Sequence, residues 1–255
     1  MPLDVAAVRA ALPGREIYWH ASLASTMHDA TKLAAAGAPS GTVTGADEQT
    51  AGMGRFGRRW HSEPDTGLYF SVVLRPDFGR PGGPPQPGSL PHITLALGLA
   101  VREAIVDSTG GVCDLRWPND LLIADRKCAG ILTQLENRAV VAGIGINVNQ
   151  SAFPDDIAAI ATSLRLAAGR VHSREQLLIR LLPAIDEWSS LDSASILRVF
   201  AESSSYVRGR RVIVEITEDE LLTGSTAGLT PEGYLIVRDD RGKEHTIIAG
   251  GVRPA

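Results

Sequence analysis

The stretch from Glu48 to Trp60 reads EQTAGMGRFGRRW, and its residue types suit the handling of an anion. Gly52, Gly54 and Gly57 let a backbone come close to a ligand and turn its N–H groups outward. Arg55, Arg58 and Arg59 stand among them, each able to offer a phosphate or a carboxylate two parallel donors. Trp60 adds a flat face on which a base can stack. A solvated basic loop has the same composition, so this segment alone does not decide. Two nucleotide motifs are excluded. GxxxxGK[ST] is absent, and these glycines do not form an ordered GxGxxG between a strand and a helix.

Two further stretches carry polar groups among apolar ones. In RWPND, Arg116 to Asp120, followed by KCAGIL, Lys127 to Leu132, two cations, an amide and a carboxylate converge on a strand–turn–strand unit. Gly130 inside a strand marks the close approach of another group. In GIGINVN, Gly143 to Asn149, Gly143 and Gly145 suggest tight packing against a ligand, and Asn147 offers both donors and an acceptor. Each has a plainer reading in isolation: a turn at Asn119-Asp120, a strand-end charge at Lys127, a glycine-containing core strand at 143–149.

The elements that must position these groups follow from pattern. Helices are expected over 4–12, ended by Pro13-Gly14, over Met27 to Ala36 behind the capping residues Ser25 and Thr26, and over Ile93 to Val106. Phe153 to Ala168 reads as a loop and then a helix. A capping box at 173–176 opens a helix to about Trp188, and a last helix covers about 193–201. Strands are expected at 17–19, 42–46, 68–74, 115–117 and 121–124, with Pro118 to Asp120 as a turn. Lys127 to Glu136 and Ala139 to Val148 read as an antiparallel pair around Asn137-Arg138. Asp47 to His61 is a long polar loop, and residues 76–91 are too rich in Pro and Gly for regular structure. After Tyr206 the helical pattern stops. Short strands at 211–216, 233–237 and 244–248 with Gly-rich turns point to a small β-barrel from about residue 208. The division is therefore a first domain over 1–207 and a second over 208–255.

Composition bounds the function. A chain of 255 residues, 44% hydrophobic, can bury a sizeable core. A net charge of −4 with no basic block gives no bulk case for nucleic-acid binding. Only Cys113 and Cys128 occur, without metal-ligand spacing, which fits a reduced, cytoplasmic setting. No signal peptide is read at the N-terminus, and no stretch approaches the roughly 20 apolar residues of a membrane span.

Ser25-Thr26, GxGRxGRxW, [KR]WPND, KxxGIL and GxGINxN, in this order, resemble the pattern of the biotin–protein ligase family over roughly residues 20–150, with a weaker match towards the C-terminus. The resemblance implies an α+β catalytic domain, a mixed sheet flanked by helices like that of class II aminoacyl-tRNA synthetases and lipoate ligases. It also implies a small C-terminal SH3-like domain. The implied activity is an ATP-dependent ligase that makes biotinyl-5′-AMP and moves biotin to a lysine of the biotin carboxyl carrier protein of acetyl-CoA carboxylase or a related carboxylase. ATP, biotin and Mg²⁺ are the implied small molecules.

Carried over residue by residue, Ser25, Thr26, Gln49, Gly52, Arg55, Lys127, Gly130 and Gly143 resemble biotin contacts. Arg55, Arg58 and Lys127 resemble phosphate partners, and Arg116 joins the binding set where lysine is more usual. Trp60 resembles an adenine-stacking residue. Asn119 and Asn147 resemble nucleotide or Mg²⁺-site residues, and Asp120 the group that meets the incoming lysine. Lys127, Arg55 and Asp120 are thus the expected catalytic residues. Two departures stand out: Met53 occupies a position usually held by arginine, and Met27 one usually held by asparagine. A lipoate–protein ligase and a biotin-binding module with impaired catalysis are the alternatives. A DNA-binding repressor is not expected, because only about 20 residues precede Ser25 and a helix-turn-helix with its wing needs more. No membrane partner is expected, and homodimerisation is left open.

Overall fold

The computed structural model describes residues 1–76, 89–216 and 221–255. The strands β1 (Ile17–His20), β2 (Val43–Ala46), β3 (Leu68–Leu74), β4 (Asp114–Arg116), β5 (Asp120–Ile123), β6 (Arg126–Glu136) and β7 (Ala139–Ile146) form one sheet in the order β1-β2-β3-β7-β6-β5-β4. β1 and β2 run parallel and the other neighbours antiparallel, so the sheet is mixed.

Side chains alternate between the two faces of each strand. Leu68, Phe70, Val72 and Leu74 of β3, with Ile144 and Ile146 of β7, face the larger core. That core is completed by α3 (Ser89–Thr109), α6 (Arg174–Ser190) and α7 (Ser193–Ser203). Each buried leucine or phenylalanine there contributes roughly 1.5–3 kcal/mol. The opposite face carries Val73, Ala139 and Val141, packed against Met27, Ala30 and Ala34 of α2 (Thr26–Ala35). Gly143 and Gly145 are in step with Val141 and share this second face. The remaining helices are α1 (Val5–Ala11), capped by Asp4 Oδ1 on the N–H of Ala7, and the short α4 (Asp155–Ala158) and α5 (Leu164–Ala168).

β8 (Arg208–Glu215), β9 (Leu221–Leu229), β10 (Leu235–Asp239), β11 (Glu244–Ile247) and β12 (Gly251–Pro254) form a separate antiparallel sheet in the order β11-β10-β9-β8-β12. β9 and β12 were not among the expected strands. β9 reads LLTGSTAGL, and its glycines erase the alternating signal. Gly224 is there because a Cβ would lie 2.5 Å from the carbonyl oxygen of Arg238 on β10.

Three other expectations are corrected. α3 begins at Ser89, so the expected loop over 76–91 ends earlier; Pro91 sits in the first helical turn, where no N–H is required. The rest of that loop lies outside the described residues. Asp120 opens β5, paired with Arg116 and Gly130, instead of closing a turn. Ser25 holds the N-cap position of α2, but its side chain makes no capping bond.

Candidate functional site

A cavity of about 650 Å³ opens on the second face of the large sheet. Its wall includes Ser25, Thr26, Gln49, Arg55, Arg58, Trp60, Arg116, Asn119, Asp120, Lys127, Gly130, Gly143 and Asn147. The motifs, spread over more than a hundred residues of the chain, therefore meet in one place. Gly52 is the exception among the expected residues. It is buried behind the loop, where its carbonyl accepts the N–H of Trp60 at 2.9 Å.

The floor is made of glycines covered by large side chains, with Gly130 under Lys127 as well as Trp60. A Cβ on Gly145 would lie 2.5 Å from Cε2 of Trp60, and one on Gly130 3.1 Å from its Cζ3. A Cβ on Gly143 would lie 2.7 Å from the Sδ of Met27. The close approach expected at these glycines is thus to Trp60, Lys127 and Met27, which themselves line the cavity. The indole Nε1 of Trp60 is buried and has no hydrogen-bond partner within the protein.

Lys127 begins the inner part of β6, beside that indole, with Nζ 5.4 Å from the ring centroid. Its backbone is pinned on both sides: its N–H donates to Ile160 O at 2.7 Å, and its carbonyl accepts the N–H of Thr162 at 2.9 Å. Lys127 Nζ meets Asp120 Oδ1 at 2.5 Å, and Arg116 Nη2 meets Asp120 Oδ2 at 2.7 Å. Burial pushes the Asp120 carboxyl up, but Lys127 and Arg116 outweigh it and hold it below the usual carboxylate range. The carboxylate is therefore ionised near neutral pH and shared between two cations.

The glycine-rich loop reaches its place through the C-terminal sheet as well as the large one. Arg55 Nη1 donates to Asn119 Oδ1 at 3.3 Å and to Gly250 O at 3.2 Å. Burial draws its guanidinium below the ordinary arginine value, with Asp120 opposing and Arg58 assisting that shift. Arg58 Nη2 meets Glu215 Oε2 at 2.9 Å, and Arg253 Nε meets the other oxygen at 3.4 Å. Asp125, in the turn between β5 and β6, receives Arg210 at 3.0 Å and the hydroxyl of Tyr206 at 3.2 Å. Met53 is exposed at the loop tip and pairs with Arg59 in an isolated bridge.

At the other end, Thr26 donates its N–H to Gln49 Oε1 at 2.9 Å, and its hydroxyl lies 2.9 Å from that of Ser71. Ser25 is buried, lines the cavity, and its Oγ has no partner within the protein. Sequence reading missed several wall residues. Phe153, Ile157, Ile160, Glu215, Gly250 and Arg253 also line the cavity, and none lies in a motif with chemical character of its own.

Asn119 and Asn147 do not present a cation site. Asn119 Nδ2 donates to Ile131 O at 2.7 Å while its Oδ1 accepts Arg55. Asn147 is buried, its Nδ2 donating to Thr162 O at 3.0 Å and its Oδ1 facing Gln150 Nε2 at 3.5 Å. Both amides are spent on holding protein groups. Mg²⁺ requires oxygen ligands, most often carboxylates together with substrate phosphates. Asp120, next to Asn119 in the chain, is already shared by two cations. No cluster of three His, Cys, Asp or Glu side chains suited to a metal occurs among the described residues. The residues here do not fit a protein-held Mg²⁺.

Residues 19–151 match the biotin/lipoate A/B protein ligase family, and residues 208–252 match the biotin protein ligase C terminal domain. The chain is 35% identical over 238 residues to the bifunctional ligase/repressor BirA of Bacillus subtilis, covering 90% of this chain and 71% of that protein. It is 31% identical over 264 residues to the biotin–[acetyl-CoA-carboxylase] ligase of Mycobacterium tuberculosis, covering 98% and 95%. The biotin protein ligase of Aquifex aeolicus, solved in complex with biotin and ATP, superposes with a TM-score of 0.81 at 29% identity, covering 94% of this chain and 99% of that one. The motifs, the mixed sheet, the C-terminal sheet and these matches agree: the chain belongs to the biotin/lipoate A/B protein ligase family.

Proposed function

We propose that this chain is an ATP-dependent biotin–protein ligase, with a catalytic unit over 1–207 and a second unit over 208–255. The observation that carries the reading is the polarity of the cavity where the motifs meet. Ser25, Thr26 and Gln49 gather hydrogen-bonding groups at one end, including the unpartnered Ser25 Oγ, while Arg55, Arg58, Arg116 and Lys127 gather positive charge at the other. An acid with a neutral polar head, meeting a nucleoside triphosphate at its carboxylate, matches that division.

The chemistry assigns the cations their work. The biotin carboxylate attacks the α-phosphorus of ATP, an oxygen–phosphorus bond forms, and the bond to pyrophosphate breaks. Both reactants are anions, so Lys127 and Arg55 bring them together and stabilise the charge that develops between them. Arg58 and Arg116 extend the positive wall along the polyphosphate, and Trp60 offers its ring to the adenine. Bound with ATP, Mg²⁺ would neutralise part of the polyphosphate charge. The product is a mixed anhydride, which the loop over 47–60 shields from water. An acceptor lysine then attacks the acyl carbon, and AMP leaves. A carboxylate held below its usual range is a weak base. We therefore assign Asp120 the orientation of Lys127 and of the incoming amine, with proton removal left to other acceptors.

The acceptor is a carboxylase carrier, and we take it to be a biotin carboxyl carrier protein. We place the reaction in the cytoplasm, a reading supported by the two free cysteines, Cys113 and Cys128. No helix among the described residues is long and apolar enough to cross a membrane. ATP–pyrophosphate exchange tests the reading: exchange should require biotin, and lipoate should not replace it. Exchange that is driven by lipoate and not by biotin would overturn it.

A further inference from the structure

We infer that Met27 determines which ring systems the acid end of the cavity accepts, and that it does so by closing the wall over Gly143. This rests on the reading of the cavity as a biotin site. Met27 is 6% exposed, yet it lines the cavity directly after Ser25 and Thr26. Its thioether has no room to retreat. Below it, a Cβ at position 143 would already lie 2.7 Å from Sδ and 2.9 Å from Cγ, so the side chain rests on bare backbone. Behind it, Ala30, Ala34, Val73 and Val141 pack the second core, and the Ser71 hydroxyl lies beside it over Gly143.

Of the two hydroxyls that precede it in the chain, one is engaged and one is not. Thr26 Oγ1 is engaged with Gln49 and Ser71, and Ser25 Oγ is buried without a partner. A bicyclic acid that gives its ureido group to the Ser25 and Thr26 hydroxyls therefore presents its other, sulfur-bearing ring to Met27. That ring meets an apolar, polarisable surface of fixed depth. Two oxygens added to the ring sulfur would be too large for this wall, and the Ser71 hydroxyl beside it is already engaged with Thr26. Met27 thus separates biotin from its sulfone, and its truncation should remove the distinction.

The test is calorimetric titration of the full-length protein with biotin and with biotin sulfone, for wild type, Met27→Ala and Met27→Gln. Met27→Leu is the packing control, and melting temperatures establish that each variant is folded. Wild type should prefer biotin by at least tenfold. Met27→Ala, which opens the wall, and Met27→Gln, which keeps its length and adds an amide donor, should each narrow that preference at least tenfold, while Met27→Leu retains it. Folded Ala and Gln variants with the wild-type preference would overturn the inference while leaving the biotin reading intact. Wild type that binds neither ligand would instead remove the biotin reading, and this inference with it.

Discussion

The ammonium of Lys127 lies 2.5 Å from the carboxylate of Asp120, whose second oxygen holds Arg116. Two cations thus reach the cavity wall already aligned by one shared anion. Asp120→Asn leaves both without it, and breaking a pair buried to this degree should cost about 3 kcal/mol of stability. The pH dependence has a definite sign. A carboxyl held below its unfolded value contributes stability that is present above about pH 4 and is lost as the pH falls through the folded value. Melting temperatures measured down the acid range should fall in wild type, and Asp120→Asn should lack that component. Superimposable acid limbs for the two proteins would show that Asp120 is not held by these cations.

Lys127→Ala should remove most biotin-dependent ATP–pyrophosphate exchange, a loss of about 2.7–4 kcal/mol in the barrier. Arg116 remains to neutralise Asp120, so the variant should fold. Near-normal exchange would take Lys127 out of the reaction.

Trp60 rests on Gly145, so the two positions should act as one. Trp60→Ala should raise the ATP KM roughly 5- to 150-fold, the equivalent of about 1–3 kcal/mol for stacking on one base. Gly145→Ala plants a Cβ 2.5 Å from the indole and should displace the ring to similar effect. Combined, they should be no worse than Trp60→Ala alone, as expected for residues sharing one contact. Losses that multiply would show that Gly145 serves something other than the seat of Trp60.

Much of this was legible in the sequence, because the catalytic unit is built from local patterns. The heptapeptide LYFSVVL, the hairpin around Asn137-Arg138, with Asn137 at φ 53, and the capping Ser173 all announce their elements. The motif residues converge as expected, apart from Gly52. What the sequence hid is of two kinds. β9 and β12 are glycine-bearing strands stabilised by their neighbours, so their own residues carry little strand signal. The contacts of Glu215 with Arg58 and of Gly250 with Arg55 span more than a hundred and fifty residues, and nothing local encodes them. The protein contacts of Asn119 and Asn147 were hidden for a related reason. An asparagine amide suits a ligand and a backbone carbonyl equally well, and only the fold shows which one it meets.

Asn147 therefore gives a separable prediction. Asn147→Leu removes the donor to Thr162 O, leaves a buried carbonyl unpaired, and should cost about 1–3 kcal/mol in stability. The Mg²⁺ concentration giving half-maximal exchange should not move, since the amide holds the Lys127–Thr162 segment and not the ion. A shifted Mg²⁺ requirement at unchanged stability would restore Asn147 as a cation ligand.

Mass spectrometry of a purified biotin carboxyl carrier domain after incubation with this protein, ATP, Mg²⁺ and biotin tests the proposed activity most directly. The expected result is one biotinyl group on one lysine, absent when ATP or biotin is omitted and strongly reduced with Lys127→Ala. An unmodified carrier in the complete mixture, or acylation only when lipoate replaces biotin, would contradict the assignment.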